Sequence, residues 1–314
     1  MLDALAIVLN QPGRLTLSRL PVTAPESDDV VIATRWSGVS TGTERLLFTG
    51  RMPDFPGMGY PLVPGYETVG EIVEAKLETG LHVGQTVFVP GAKCFGPVRS
   101  LFGGAAALLT TKASRIVGLP ASLGEKGVLL ALAATAYHVR GDMEPSSADL
   151  IVGHGVLGRL LARLCTLAGS EPPTVWERNP ARAGGALGYP VASPESDPRG
   201  DYRRIFDVSG DPAILDQLIA RLAPGGEIVL AGFYEAPLAF DFPPAFLREA
   251  RIRVAAQWRP QDLPAVTRLV DEGRLALDGL ITHRRSFRDA NDAYPTAFDD
   301  PDCLKMVLDW RDAA

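Results

Sequence analysis

The sequence predicts an α/β protein of two parts: a β-rich part made from both ends of the chain, and a central part in which strands and helices alternate. Three observations carry that prediction. Residues 1 to about 120 hold short β-type runs broken by Gly and Pro. From Pro120 onward the runs lengthen and apolar residues recur at helical spacing. A glycine turn, "IVGHGVLG", joins a strand-like run to an amphipathic stretch.

The first part contains "ALAIVL", "DDVVIATRW", "ETVGEIVEA", "QTVFVPG" and "SRIVGLP". Their even spacing and turn residues point to a small antiparallel barrel or sandwich. Residues 46–66, "LLFTGRMPDFPGMGYPLVPGY", break that pattern with four prolines and four glycines. The stretch is too irregular for a regular element and too apolar for a free loop. It reads as a segment folded over an apolar partner, either a bound molecule or a second copy of the chain in a homodimer.

In the central part, "GEKGVLLALAATAYHVRG" has the length and composition of a helix. The short strand "DLIV" then runs into glycines, after which Leu157, Leu160, Leu161, Leu164 and Ala168 recur every three to four residues. "PPTVWERNPA", "RRIFDVSG" and "GGEIVLAGF" read as further strands, with "PAILDQLIARLA" a helix between the last two. Strands alternating with helices imply parallel βαβ units. The tail "LDGLITHRRSFRDANDAYPTAFDDPDCLKMVLDW" has one helical pattern and a final strand-like run, and is expected to return to the first part. The expected division is residues 1–120 with 271–314, against 121–270.

The bulk numbers limit function. A chain of 314 residues has room for two domains. A hydrophobic fraction of 46% and a charged fraction of 22% are ordinary for a soluble globular protein. A net charge of −6 argues against nucleic acid as a partner, and no Lys/Arg cluster addresses anionic lipid. The N-terminus lacks the basic flank of a secretory signal, and the longest apolar run, Val128–Tyr137, falls short of the ~20 residues a spanning helix needs. Cys94, Cys165 and Cys303 show no paired spacing, so a reduced, cytoplasmic protein is expected.

The glycine turn is the first chemical motif. Gly153, Gly155 and Gly158 form G-x-G-x-x-G between a strand and a helix, with Val156 and Leu157 opening that helix. The first glycine permits the tight turn, the second lets a pyrophosphate approach the backbone, and the third lets helix and sheet pack closely. Free amides and the helix dipole then hold phosphates. Glu177, at the end of the next strand, suits the ribose hydroxyls of NAD and repels a 2′-phosphate, whereas the adjacent Arg178 keeps NADP open. This is the pattern of a Rossmann domain. His154, inside the turn, is expected at a solvent edge above the phosphates.

A β-rich start with the corner "PGYETVG", a "TAYH" helix, the glycine fingerprint, "FDVSG" and "LITHRRSFRDANDAY" together resemble the medium-chain dehydrogenase/reductase superfamily. The resemblance covers nearly the whole chain. It implies a GroES-like β-barrel substrate domain built from both termini, a Rossmann domain, and an active site in the cleft between them. It also implies that Thr135 meets the nicotinamide ribose, a residue read equally well as a plain core threonine in mid-helix, and that Ser209 belongs to the cofactor site. Zinc-dependent members place a Cys, a His and a third Cys or acid around the metal. Here Ser40 and Tyr66 stand at the first two positions, Ala and Leu fill the third region, and the four-cysteine structural lobe is missing. No metal is therefore expected.

Longer runs, among them "MPDFPGMGYPLVPGYE", "FVPGAKCF", "VWERNPAR" and "DPDCLKMVLDW", resemble the branch of that superfamily serving bacteriochlorophyll synthesis. That resemblance implies a tetrapyrrole substrate and NAD-linked oxidation of a 3-(1-hydroxyethyl) group on a bacteriochlorin to 3-acetyl. A lipophilic substrate leaves peripheral membrane contact open. Phe48, Met52, Phe55, Met58 and Tyr60 would supply the apolar wall. Without zinc, Tyr66, Glu67, Ser40, Thr41 and Thr43 would converge as a proton relay. Lowering a Tyr phenol from ~10 to neutral pH costs about 4 kcal/mol, and Glu67 opposes it, so Tyr66 is expected to donate to the substrate oxygen. Glu67 is read equally well as a structural acceptor for backbone amides. Glu44 is expected on a solvated turn beside Arg45 or Arg51. Two other readings remain: a zinc-free quinone or enoyl reductase, and a pigment- or dinucleotide-binding protein without turnover.

Overall fold

The computed structural model describes residues 2–54, 56–100, 102–141, 149–168 and 171–313. The chain divides into two compact units, Met1–Ala131 with Leu280–Ala314, and Leu132–Gly279.

The N-terminal unit begins with a hairpin of β1 (Leu2–Gln11) and β2 (Arg14–Val22), turned at Gly13, whose φ of 71° favours glycine. The strand β3 (Asp29–Val39) is followed by a short helix, α1 (Thr43–Thr49), and by β4 (Thr68–Ala75), β5 (Thr86–Val89), β6 (Leu108–Lys112) and β7 (Val117–Gly118). The seven-stranded sheet of this unit is antiparallel around β3, which pairs with both β4 and β6. The alternating pattern of these strands turns Ile7, Leu9, Ile32, Val87 and Leu109 into one buried core.

Helix α2 (Leu130–Arg140) leads into the central unit. There β8 (Asp149–Val152), α3 (Val156–Leu167), β9 (Thr174–Trp176), α4 (Pro180–Ala183), β10 (Val191–Ala192), β11 (Tyr202–Asp207), α5 (Leu215–Arg221), β12 (Leu222–Leu230), α6 (Phe242–Leu247), β13 (Arg251–Val254) and α7 (Asp262–Asp271) follow in order. The six strands form one parallel sheet in the order β10-β9-β8-β11-β12-β13. This is the doubly wound arrangement of a Rossmann domain, as the alternating pattern predicts. One buried cluster joins Leu150, Trp176, Ile205 and Ile228 of its strands with Leu218 of α5.

The tail supplies β14 (His283–Ser286), α8 (Ala290–Asp299) and β15 (Met306–Asp309). β15 pairs antiparallel with β3 and parallel with β14, so the C-terminal strand completes the N-terminal unit's sheet. The expected return of the tail is thus observed. Among the described residues no helix is long and apolar enough to cross a membrane.

Candidate active site and dinucleotide turn

Strand register builds a polar cluster within the N-terminal unit. Ser37 faces Thr68 across β3 and β4, and Val39 faces Met306 across β3 and β15. Ser40, Tyr66, Glu67 and Lys305 therefore emerge at the same end of three neighbouring strands. A tight turn at Gly65, with φ of 95°, brings Tyr66 there; a side chain on Gly65 would lie 2.8 Å from the Ala105 amide. The Tyr66 hydroxyl lies 2.5 Å from Ser40 Oγ, and its ring rests against Phe102. Burial and the nearby Glu67 charge raise the Tyr66 phenol above its ordinary range, with Ser40 and Thr43 opposing. Tyr66 is a neutral hydroxyl at physiological pH.

Glu67 is fully buried and its carboxylate accepts from Lys305 Nζ at 2.6 and 2.9 Å. Lys305 is itself buried and also donates to the Val39 carbonyl at 3.3 Å. Gly38 makes room for this pair, since any Cβ there would collide with Glu67 Oε2. The Gly38 amide donates to the Glu67 carbonyl at 2.8 Å, so backbone and side chain share the site. Burial raises the Glu67 carboxyl, while the Lys305 ammonium pulls the other way.

Glu44 corrects an expectation. It does not sit on a solvated turn beside Arg45 or Arg51; it is buried at the start of α1. Its Oε1 accepts from the Ser40 amide at 3.2 Å, Tyr294 of α8 lies close enough to act on its charge, and among the described residues its buried Oε2 has no hydrogen-bond partner. Burial first, and then the Glu67 charge, pushes its pKa up to about 8. The sequence hid this because the turn "TGTE" looks polar, while the apolar Leu46 and Leu47 that follow pull the helix inward. Thr41 and Thr43 are half-buried beside it.

The apolar stretch is more ordered at its start than its composition suggests, because Leu46–Thr49 belong to α1. Phe48 packs on Tyr294 and Phe298, with ring centroids 6.2 and 5.5 Å away. Met52, Met58 and Tyr60 are half-buried against the same core, and Tyr60 donates its hydroxyl to the Leu47 carbonyl at 2.5 Å. Phe55 lies outside the described residues.

In the central unit the glycine turn has the expected form. Gly153 adopts φ of 107° against Ser209, and a Cβ on Gly158 would collide with the Gly153 carbonyl. A Cβ on Gly155 would meet nothing within 4 Å, leaving open space above the turn. Val156 is buried and Leu157 half-buried in the first turn of α3. Glu177 accepts from the His154 amide at 3.2 Å and the Asn179 amide at 2.8 Å. Arg178 is exposed and donates to Gln217 at 2.9 Å. Ser209 donates to Asp207 through its hydroxyl at 2.6 Å. Thr135 is half-buried in α2.

His154 is a second correction. It is wholly buried rather than at a solvent edge, with Nδ1 2.7 Å from the Arg182 carbonyl and Nε2 3.0 Å from the Tyr189 hydroxyl. Alternation of glycines around it suggested exposure, but its polar partners come from residues distant in sequence.

The structure gathers Ser40, Thr43, Tyr66 and Glu67 into one cluster and adds Lys305 and Tyr294, which sequence reasoning missed. Their signal was faint: a lone lysine inside the apolar run "CLKMVLDW", and a tyrosine on the apolar face of α8. The cluster does not fit a catalytic zinc. Zinc takes thiolate, imidazole or carboxylate ligands, usually three in a catalytic site. Here two positions are neutral hydroxyls, and the Glu67 carboxylate is bonded to Lys305 through both oxygens.

Residues 26–121 match the alcohol dehydrogenase GroES-like domain. Over 99% of its length the chain is 54% identical to the 2-desacetyl-2-hydroxyethyl bacteriochlorophyllide A dehydrogenase of Rhodobacter capsulatus, all of which is covered. It is also 54% identical to the protein of the same description from Cereibacter sphaeroides, over 98% of this chain and 99% of that one. The fold is shared with an alcohol dehydrogenase of Escherichia coli CFT073 complexed with NADH. The TM-score is 0.81 at 20% identity, covering 98% of this chain and 99% of that one.

Proposed function

The chain belongs to the family of the 2-desacetyl-2-hydroxyethyl bacteriochlorophyllide A dehydrogenases, and from that premise we propose that it oxidises the 3-(1-hydroxyethyl) group of a bacteriochlorophyllide to 3-acetyl, with NAD as hydride acceptor. The observation that carries the reading is the identity of 54% over nearly the whole chain. The carbinol carbon loses a hydride to the nicotinamide, its oxygen loses a proton, and the products are the ketone, NADH and a proton.

The residues support a division of labour. The open face of the glycine turn at Gly155 leaves the approach a pyrophosphate needs. The carboxylate of Glu177 favours NAD over NADP by repelling a 2′-phosphate. Thr135 and Ser209 are assigned to the same cofactor. Tyr66, held neutral and accepting from Ser40 Oγ, donates to the substrate oxygen and orients it, while the proton of the substrate hydroxyl leaves to solvent water. Thr43 contributes a further hydroxyl. The buried Lys305–Glu67 pair fixes the floor of the cluster. The half-exposed faces of Met52, Met58 and Tyr60 are assigned to the macrocycle, with Phe48 behind them. The macrocycle itself shares the positive charge that grows as hydride leaves, which lightens the demand on these hydroxyls.

The test is incubation of the protein with NAD and a 3-(1-hydroxyethyl) bacteriochlorophyllide while recording the pigment spectrum. Growth of a red-shifted acetyl product with stoichiometric NADH is expected, and Tyr66→Phe should slow it by about 100-fold. An unchanged spectrum beside demonstrated dinucleotide binding would discard the reading.

A further inference from the structure

We propose that His154 is a positioning residue that fixes the carboxylate of Glu177 and so sets the preference of the glycine turn for NAD over NADP. This rests on the dinucleotide reading of that turn and deepens it.

His154 is a four-way junction. Its amide donates to Glu177 Oε2 at 3.2 Å, and its carbonyl accepts from Arg159 Nε at 3.0 Å. Its ring nitrogens meet the Arg182 carbonyl at 2.7 Å and the Tyr189 hydroxyl at 3.0 Å. A carbonyl can only accept, so Nδ1 carries the proton and Nε2 accepts from Tyr189. Burial lowers the His154 pKa and keeps that neutral form. Arg159 adds a second clamp by donating through Nη2 to the same Arg182 carbonyl at 2.9 Å. Gly185 accommodates the guanidinium, because a Cβ there would collide with Arg159 Nη1.

The consequence lies at Glu177. One carboxylate oxygen is held by the His154 amide and the other by the Asn179 amide. Both ends of that grip are anchored by the imidazole: His154 directly, and the Asn179–Tyr189 segment through Arg182 and Tyr189. A carboxylate so held keeps its remaining lone pairs at one place and excludes a 2′-phosphate. Released, it can swing aside, and the exposed Arg178 beside it can meet the phosphate.

Binding of NAD and of NADP to the full chain, titrated separately by calorimetry, tests this. His154→Ala should lower the NAD-to-NADP affinity ratio at least about fivefold, the low end of an ordinary coupling free energy between two positions. Tyr189→Phe should move the ratio the same way by less. His154→Asn, whose amide can still reach the Arg182 carbonyl, should recover part of it. A ratio unchanged in both His154→Ala and Tyr189→Phe overturns the proposal, whatever happens to the individual affinities. If His154→Ala does not fold, Tyr189→Phe decides alone. A wild-type protein that binds neither dinucleotide overturns the reading of the turn as well, which separates the two failures.

Discussion

Glu44 shows how burial rewrites the chemistry of a single side chain. A carboxyl with a pKa near 4.5 in the unfolded chain is pushed to about 8 by desolvation and by Glu67. Between those values the unfolded chain has lost the proton and the folded one has kept it, so stability falls as pH rises through that window. A tenfold difference in proton affinity between the two states is worth ~1.4 kcal/mol, so the slope should be measurable by urea unfolding from pH 5 to 8. Glu44→Gln keeps an acceptor for the Ser40 amide and removes the titration, and its stability should depend less on pH there. An identical slope in both proteins would assign the effect elsewhere. Tyr66 and Ser40 were legible because they replace residue types that relatives use for metal. Glu44, Lys305 and Tyr294 were not, since whether a charge is buried depends on strands more than 200 residues apart, as Glu67 and Lys305 are.

At the scale of elements, periodicity read β8, α3, β9, β11, α5 and β12, whose apolar residues are buried, but not the short or largely exposed α4, β10, α6 and β13, nor α7. It read less of the N-terminal unit, where β2 is half exposed and α1 hides in a stretch rich in Gly and Pro. The β8–α3 turn offers the sharpest contrast between fold and site. Gly158→Ala places a methyl against the Gly153 carbonyl and should destabilise the turn itself, visible as a lowered melting temperature. Gly155→Ala places one in open space, at φ of −74°, where alanine is comfortable. It should melt like the wild type yet bind dinucleotide roughly tenfold more weakly, about 1.4 kcal/mol. Wild-type affinity in Gly155→Ala would mean that no phosphate approaches this glycine.

Across the whole chain, the first and last segments depend on each other, a dependence that residue patterns only hinted at through the strand-like tail. β15 lies between β14 and β3, Trp310 donates to Ser37 at 2.8 Å, and Lys305 supplies the counter-charge for Glu67. An ion pair this deep adds little net stability, yet breaking it from one side is costly because the survivor is a buried, uncompensated charge. Lys305→Met should therefore destabilise the N-terminal unit by about 3–5 kcal/mol. The double variant Lys305→Met with Glu67→Gln removes both charges and should recover much of that loss, giving a coupling energy of opposite sign to the single effects. Chemical unfolding of the four proteins of this cycle measures it directly. Additive losses would mean that the two side chains do not share one buried site, and the floor assigned to the Tyr66–Ser40 pair would have to be sought elsewhere.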